Sequence, residues 1–275
     1  AGSFVISVIS TLGGRKEYKP IGRIGAVLAP VLLLLAPFTL IVDLEQPLRF
    51  WHLFLYLNLK SPITYGSFLL TLYPINGLIY AWFLFKRNAR LAKILGLIGI
   101  PLAIATHGYT GFILALGKGR ILWSTACMPT LFIVSAMVSG MALVIIAAAI
   151  RYAYRYAHTP EEERGKDRAL ILNLGKMMGG IIIADLFLVG NDILVLLTST
   201  QEALHVAHLI LFGKFQLFFV WIEILLGGFL PMFMVFLPWT GRSLRWVVVA
   251  SVLVMIGVMA MRYVVVVAGQ FLPLH

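Results

Sequence analysis

The chain has 275 residues, of which 61% are hydrophobic and 12% are charged, and its formal net charge is +11. This composition excludes an ordinary soluble globular domain and indicates a polytopic membrane protein. The basic residues lie at the ends of apolar segments, so membrane orientation explains them better than nucleic-acid binding, and we expect no nucleic-acid partner. Cys127 is the single cysteine, which excludes a disulfide or cysteine metal site within the chain.

Eight apolar segments follow one another, at residues 1–12, 21–42, 62–85, 91–116, 125–150, 169–197, 215–237 and 244–271. All but the first have about 20 residues or more, enough to cross a hydrocarbon core of about 30 Å. Since the sequence opens at Ala1 within an apolar run, we expect a truncated first helix. The sequence predicts an all-α, polytopic membrane helical bundle of about eight transmembrane helices, forming two four-helix bundles in a single integral membrane domain, 1–275.

Lys and Arg predict the orientation of these helices. Most of them fall on one side of the membrane, in the links around Arg15, Lys86 and Arg151. The positive-inside rule makes that side cytoplasmic and places both termini of the chain outside. The acidic run at 161–163 is interpreted as a solvated part of a cytoplasmic loop. Residues 200–212 are predicted to form a short helix at the outer interface, with its polar side formed by Glu202, His205 and His208.

Polar side chains within the predicted spans concentrate towards their outer ends. These are His107 and Tyr109 in the fourth segment, Asp43 at the end of the second, and Asn191, Asp192, Glu223 and Arg262 in the last three. Asp185 lies near the middle of the sixth segment. Ionisable groups are expensive in hydrocarbon, so they are candidates for a functional site. Pairing of Arg262 with Glu223 or Asp192 would neutralise their charges.

Helix geometry limits how these residues cooperate. His107 and Tyr109 are about 200° apart around a regular helix, so they are not expected to face one ligand together. Asp185 and Asp192 share a helix face about 10 Å apart along the axis, which suits a proton relay as well as simple helix packing.

Several motifs carry a family resemblance. They are DLEQPLRFWHLF, SPITYG, HGYTGFIL and RYVVVVAGQFLP, together with the spacing of Trp123, Pro129, Phe132, Ser135 and Gly140. With these features the chain resembles membrane subunits of the NrfD/polysulfide-reductase type.

This resemblance implies a haem-free subunit in a bacterial or archaeal plasma membrane, within a respiratory oxidoreductase complex. Such a subunit exchanges electrons between a membrane quinone (menaquinone or ubiquinone) and an extracytoplasmic iron–sulfur (ferredoxin-like) subunit. That partner is coupled to a molybdopterin or multihaem catalytic subunit, which holds the terminal substrate site. The resemblance also implies that Tyr109 donates a hydrogen bond to a quinone carbonyl. The family's further quinone contacts on the first helix would precede Ala1.

The residues agree with quinone chemistry. His107 can donate or accept a hydrogen bond, and Gly108 and Gly111 allow a ring or helix to approach closely. The candidates for proton transfer, which proton translocation would require, are Asp43, Asp185, Asp192, Glu223 and Arg262.

Three alternatives stay open: a di-haem anchor, a secondary transporter or ion-conducting subunit, and a passive membrane anchor. A di-haem site needs paired histidines, but His107 is the one histidine well inside a predicted span. We therefore expect no haem or metal on this chain. Gly227, Gly228 and Pro231 give the seventh segment a helix break of the kind found in transporters, without a counterpart in the other half.

Overall fold

The computed structural model describes residues 1–13, 18–42, 46–156 and 160–271. Within these ranges the chain is helical and has no strand. The α-helices are α1 (Gly2–Leu12), α2 (Lys19–Val42), α3 (His52–Leu55), α4 (Pro62–Phe85), α5 (Ala89–Ala115), α6 (Met128–Arg155), α7 (Glu161–Thr198), α8 (Gln201–Leu211), α9 (Leu230–Phe236) and α10 (Leu244–Phe271). A 3-10 turn, Pro47–Arg49, precedes α3, and a π-helix, Leu217–Phe229, runs into α9.

In the described part of the chain, seven helices are long and apolar enough to cross a membrane, with the shorter α1 in addition. This confirms the predicted all-α, multi-pass class. The largest boundary error is at the start of α7, and α6 also differs from the predicted 125–150. α7 starts at Glu161, ahead of the predicted segment, so the acidic run forms its first turn rather than a loop. Carboxylates in that turn interact favourably with the positive end of the helix dipole, an effect that hydropathy does not register.

The first compact unit comprises Ala1–Thr110, with α1, α2, α4 and most of α5. Small residues bring α1 and α2 together, as is usual where membrane helices pack closely. The Ser7 hydroxyl donates to the Gly22 carbonyl at 2.6 Å and lies 2.8 Å from the Tyr80 hydroxyl. Phe4 is fully buried and packs edge-on against Tyr73, with ring centroids 5.6 Å apart.

The second compact unit comprises Gly111–His275, with α6, α7, α8, the π-helix, α9 and α10. The π-helix and α10 meet at Gly227 and Gly257, where a β-carbon on either residue would overlap the Cα of the other. That contact therefore requires two glycines. The division into two units leaves the single integral domain of the sequence analysis as a prediction.

The predicted amphipathic helix after α7 is present as α8. Thr200 caps it, since its hydroxyl accepts a hydrogen bond from the Ala203 backbone nitrogen at 3.1 Å. The apolar side of α8, including Val206 and Ile210, is buried in the core of the second unit. The polar side chains predicted for the opposite face, Glu202, His205 and His208, are exposed.

Candidate functional site

Tyr109 lies on α5 and its ring rests on the backbone of α4. The contact is at Gly66, where a β-carbon would overlap the tip of the Tyr109 ring. The tyrosine side chain is half-buried. Among the described residues, none accepts a hydrogen bond from its hydroxyl. A glycine on one helix thus positions a phenol on the next and leaves its donor available.

His107 lies half a turn before Tyr109 and is also half-buried. Its Nδ1 donates to the Ala103 carbonyl oxygen, 2.9 Å away, so Nε2 is the acceptor of the neutral ring. Nε2 lies 3.3 Å from the backbone nitrogen of Ala1. The imidazole also packs edge-on against Tyr73 of α4, with ring centroids 6.2 Å apart.

The side chains of His107 and Tyr109 therefore both reach α4, at Tyr73 and Gly66. These two positions are seven residues apart, which places them on one face of α4, two turns from each other. Their spacing on α5 predicted that they would not face one ligand together, yet both side chains contact this face of α4, each at its own level.

Tyr73 was not among the residues predicted for the site. It is fully buried, and its hydroxyl has no hydrogen-bond partner among the described residues. A buried phenol without a partner is unusual, since such groups are normally satisfied. The signal that was available is the recurrence of Tyr73, Asn76 and Tyr80 on one face of an apolar segment. In contrast, the Tyr80 hydroxyl contacts Ser7 and Thr11 and is satisfied within the helix packing.

The remaining predicted residues around Tyr109 have different positions. Gly108 lies half-buried between His107 and Tyr109 on α5. Gly111 belongs to the second unit, where a β-carbon on it would meet the backbone of Met128 at the start of α6. A neighbouring helix thus occupies the space beside this glycine. Asp43 lies outside the described residues.

A second set of polar groups surrounds a small cavity in the second unit. Asp185 of α7 and Glu223 of the π-helix both line it, together with Gly227 and Gly257. The centre of a water molecule can occupy a volume of about 20 Å³ in this cavity, so the cavity has room for one water. One oxygen of each carboxylate, Asp185 Oδ1 and Glu223 Oε2, is buried without a hydrogen-bond partner among the described residues.

The π-helix contributes to this arrangement. Its wider turn replaces the usual hydrogen-bond register over Leu217–Phe229, and Glu223 lies at its centre. π-helical segments are rare and occur frequently at functional sites. The glycine break that the sequence indicated at Gly227 and Gly228 lies inside this segment, and α9 continues it from Leu230.

Arg262 of α10 has partners other than those expected. Its guanidinium donates to the Ser135 hydroxyl at 2.9 Å and lies 3.6 Å from the centre of the Phe132 ring. No carboxylate among the described residues is within ion-pair distance of it. Arg262 still interacts electrostatically with Asp185 and Glu223 at longer range. The direct pair with Glu223 or Asp192 is thus replaced by a hydroxyl and an aromatic face, both supplied by α6.

Asp192 lies about two turns beyond Asp185 on α7 and interacts electrostatically with Glu223. The Thr125 side chain lies beside it. However, neither Thr125 Oγ1 nor Asp192 Oδ1 has a hydrogen-bond partner of good geometry among the described residues. Asn191, the next predicted polar residue, donates to the Phe187 carbonyl of its own helix at 2.9 Å.

The described ranges contain seven long apolar helices with buried polar groups, which define a multi-pass α-helical integral membrane protein. Among the described residues, no three metal-ligating side chains come together. The profile of the family described as "Polysulphide reductase, NrfD" matches residues 1–273. The chain belongs to this family.

The chain is also similar to individual members of oxidoreductase complexes. It is 27% identical to the Hdr-like menaquinol oxidoreductase integral membrane subunit of Archaeoglobus fulgidus, over 99% of this chain and 68% of that protein. It is 25% identical to a selenate reductase subunit of Mesobacillus selenatarsenatis, over 99% of this chain and 71% of that protein. Identity to a polysulfide reductase component of Wolinella succinogenes is 30%, over 51% of each protein.

Proposed function

We propose that this chain is the quinone-reactive membrane subunit of a respiratory oxidoreductase. In this role it exchanges electrons between the membrane quinone pool and an extracytoplasmic iron–sulfur subunit, while the terminal substrate reacts on a further chain. Membership of the NrfD family supports the proposal, as do relatives named as components of menaquinol oxidoreductase and polysulfide reductase. The structural observation that carries it is the Tyr109 hydroxyl, held against Gly66 with its donor available.

The residues around Tyr109 fit a quinone head group. A quinone supplies two-electron, two-proton chemistry and has two carbonyl oxygens that need hydrogen-bond donors. Tyr109 can donate from a half-buried position, and its ring offers an apolar surface to a neighbouring ring. His107 keeps Nδ1 bonded to its own helix, so Nε2 is the ring nitrogen that can take up or release a proton.

The first test is the affinity of a fluorescent quinol-site inhibitor for the purified complex, measured in wild type and Tyr109→Phe. Loss of one neutral hydrogen bond of about 0.5–1.5 kcal/mol lowers the affinity about 2- to 13-fold. Tyr263→Phe is the control, because this tyrosine of α10 is 45% exposed and lies away from α4 and α5 in sequence. We expect that control to bind like wild type. Equal affinities of wild type and Tyr109→Phe would refute the role of Tyr109.

We further propose that the buried carboxylates of the second unit carry protons, so that electron transfer is coupled to proton translocation. Asp185 and Glu223 face one cavity with room for a water molecule, which can link two groups that do not touch. Asp192 extends the series along α7, and Arg262 supplies a nearby positive charge that favours a carboxylate without closing an ion pair on it.

The proton path is tested by the ratio of protons moved to electrons transferred in proteoliposomes that contain the complex. Asp185→Asn keeps the size of the side chain and removes its titratable proton, so we expect a lower ratio. Asp167→Asn is the control, because this carboxylate lies in the charged first part of the same helix. An unchanged ratio in Asp185→Asn would contradict the proton path and leave the quinone site unaffected.

The alternatives give other results in the same preparation. A di-haem anchor would show a b-type band in the reduced-minus-oxidised absorption spectrum of the purified subunit. A passive anchor would sustain quinol oxidation after Tyr109→Phe combined with His107→Ala. A transporter would take up solute as the isolated subunit.

A further inference from the structure

A larger cavity lies at the other end of the first unit. It forms where the end of α1, the start of α2, the end of α4 and the start of α5 come together, and its volume is about 380 Å³. This volume is within the usual range of small-molecule sites, about 300–1,000 Å³. Neither His107 nor Tyr109 contributes to its wall, so it is separate from the candidate quinone site.

The wall of this cavity is basic. Lys19 and Arg23 of α2 and Arg87, from the link between α4 and α5, line it. No acidic side chain is among the described residues that line it, and none of these three cations forms an ion pair within the described part of the chain. Ser10 and Thr11 also line the cavity, but their hydroxyl groups already donate to the Ser7 carbonyl. The described part of the wall therefore offers three positive charges to an anion, with no acidic side chain beside them.

Apart from Asn88, the wall on the side of α4 and α5 is apolar. Phe83, Leu84, Ala89 and Ala92 line the cavity on the side of α4 and α5. Trp82 is next in sequence to this wall and is 60% exposed, and Lys86 lies over its ring, 4.6 Å from the centroid. Exposed tryptophan with a cation above it is typical of the level of lipid head groups. A ligand that fits here has an anionic head and an apolar body.

The backbone at Arg87 provides an independent sign of function. The end of α4 is a Schellman motif, in which Arg87 N–H donates to the Leu84 carbonyl at 3.3 Å and Asn88 N–H donates to the Phe83 carbonyl at 3.0 Å. The residue in the left-handed conformation of this motif is usually glycine, but here it is Arg87, with φ 58°. A bulky residue is strained in that conformation, and such strain occurs preferentially at functional sites.

We propose that this basic cavity binds the phosphate of an anionic phospholipid, with Arg23, Arg87 and Lys19 around the head group and the apolar wall of α4 and α5 along the start of its acyl chains. Basic pockets between transmembrane helices are recognised sites for anionic lipid head groups. Arg87 occupies a position where glycine would relieve strain because its guanidinium contacts the phosphate.

The test uses the complete complex in detergent, stripped of lipid and then titrated with phosphatidylglycerol while thermal unfolding is followed. A ligand that binds the folded state raises the midpoint, and the concentration dependence gives its affinity. Each cation near a lipid phosphate contributes about a fivefold gain in affinity. The double variant Arg23→Gln, Arg87→Gly is therefore expected to bind about 25-fold more weakly than wild type.

The matched control is Arg90→Gln, Lys93→Gln. It also removes two positive charges, here from exposed residues at the start of α5 that do not line the cavity, and we expect wild-type affinity. Arg87→Gly alone is expected to bind about fivefold more weakly while unfolding at the same temperature as lipid-free wild type or higher, because glycine relieves the strain. A lower lipid affinity together with an unchanged or higher unfolding temperature would show that Arg87 contacts the ligand and does not stabilise the fold.

Three outcomes would overturn the proposal. Equal losses in the two double variants would mean that charge near the membrane acts without a site. Equal stabilisation by phosphatidylcholine would exclude an anionic head group as the determinant. Equal stabilisation by inorganic phosphate at the same concentration would assign the cavity to a soluble anion instead of a lipid.

Discussion

Gly66→Ala tests how Tyr109 is positioned without removing any functional group. The new β-carbon would occupy the place of the Tyr109 ring tip, and carbon atoms are at van der Waals contact at about 3.5–4.0 Å. The ring must therefore swing away from α4, and its hydroxyl moves with it. The helix itself is not weakened, because alanine is a better helix former than glycine. We expect a loss of inhibitor affinity comparable to Tyr109→Phe, about 2- to 13-fold.

The assay is the same inhibitor titration on the purified complex. Gly77→Ala is the control on the same helix, because its β-carbon would meet Pro30 at 3.4 Å, an ordinary contact, and we expect unchanged affinity. In a Tyr109→Ala background, Gly66→Ala has no ring to displace and should change nothing further. If Gly66→Ala alone binds inhibitor like wild type, or if its effect persists without the tyrosine ring, the reasoning about this contact is refuted.

Three further predictions concern the second unit and are measured by thermal unfolding in detergent. Arg262→Lys loses the planar stack on the Phe132 ring and the contact with the Ser135 hydroxyl, so it should lower the free energy of unfolding by about 1–3 kcal/mol. Arg245→Lys, at an exposed position, should not lower it. Equal unfolding midpoints for the two variants would contradict the assigned contacts. Gly257→Ala forces the π-helix and α10 apart and should lower the free energy of unfolding by about 1–3 kcal/mol. Gly180→Ala, whose β-carbon would have nothing within 4 Å, should leave the free energy of unfolding unchanged. Glu223→Gln keeps the size of the buried side chain and removes its titratable proton, so it should slow turnover while changing the stability by less than about 1 kcal/mol; a fall of about 1–3 kcal/mol would indicate that the carboxyl group has a hydrogen-bond partner.

The positions of the long helices could be predicted because an apolar segment must be long enough to cross the hydrocarbon core of the membrane. The spans at α4 and α10 agree with the sequence to the residue, helped at α4 by Pro62 in the first turn, where a missing N–H does no harm. The start of α7 was missed because a charged helical extension outside the hydrocarbon core has no hydropathy signal.

The candidate residues could be chosen from the sequence, but their partners could not. A polar side chain within an apolar segment can be recognised from the sequence alone, and Tyr109, Asp185 and Glu223 were chosen in this way. The contact of Arg262 with Ser135 joins residues 127 positions apart, and nothing local encodes it. Likewise, the π-helix around Glu223 meets α10 at Gly227 and Gly257, and the residue periodicity indicates neither this contact nor the π-helical register.

The most direct test of the central proposal is the site of covalent labelling by a photoreactive quinone analogue in the intact complex, located by peptide mass spectrometry. We expect labels on the part of α4 around Gly66 and the part of α5 around Tyr109, suppressed by excess quinone and reduced in Gly66→Ala. Competable labelling confined to α7, the π-helix or α10 would contradict it, because it would move the quinone to the second unit.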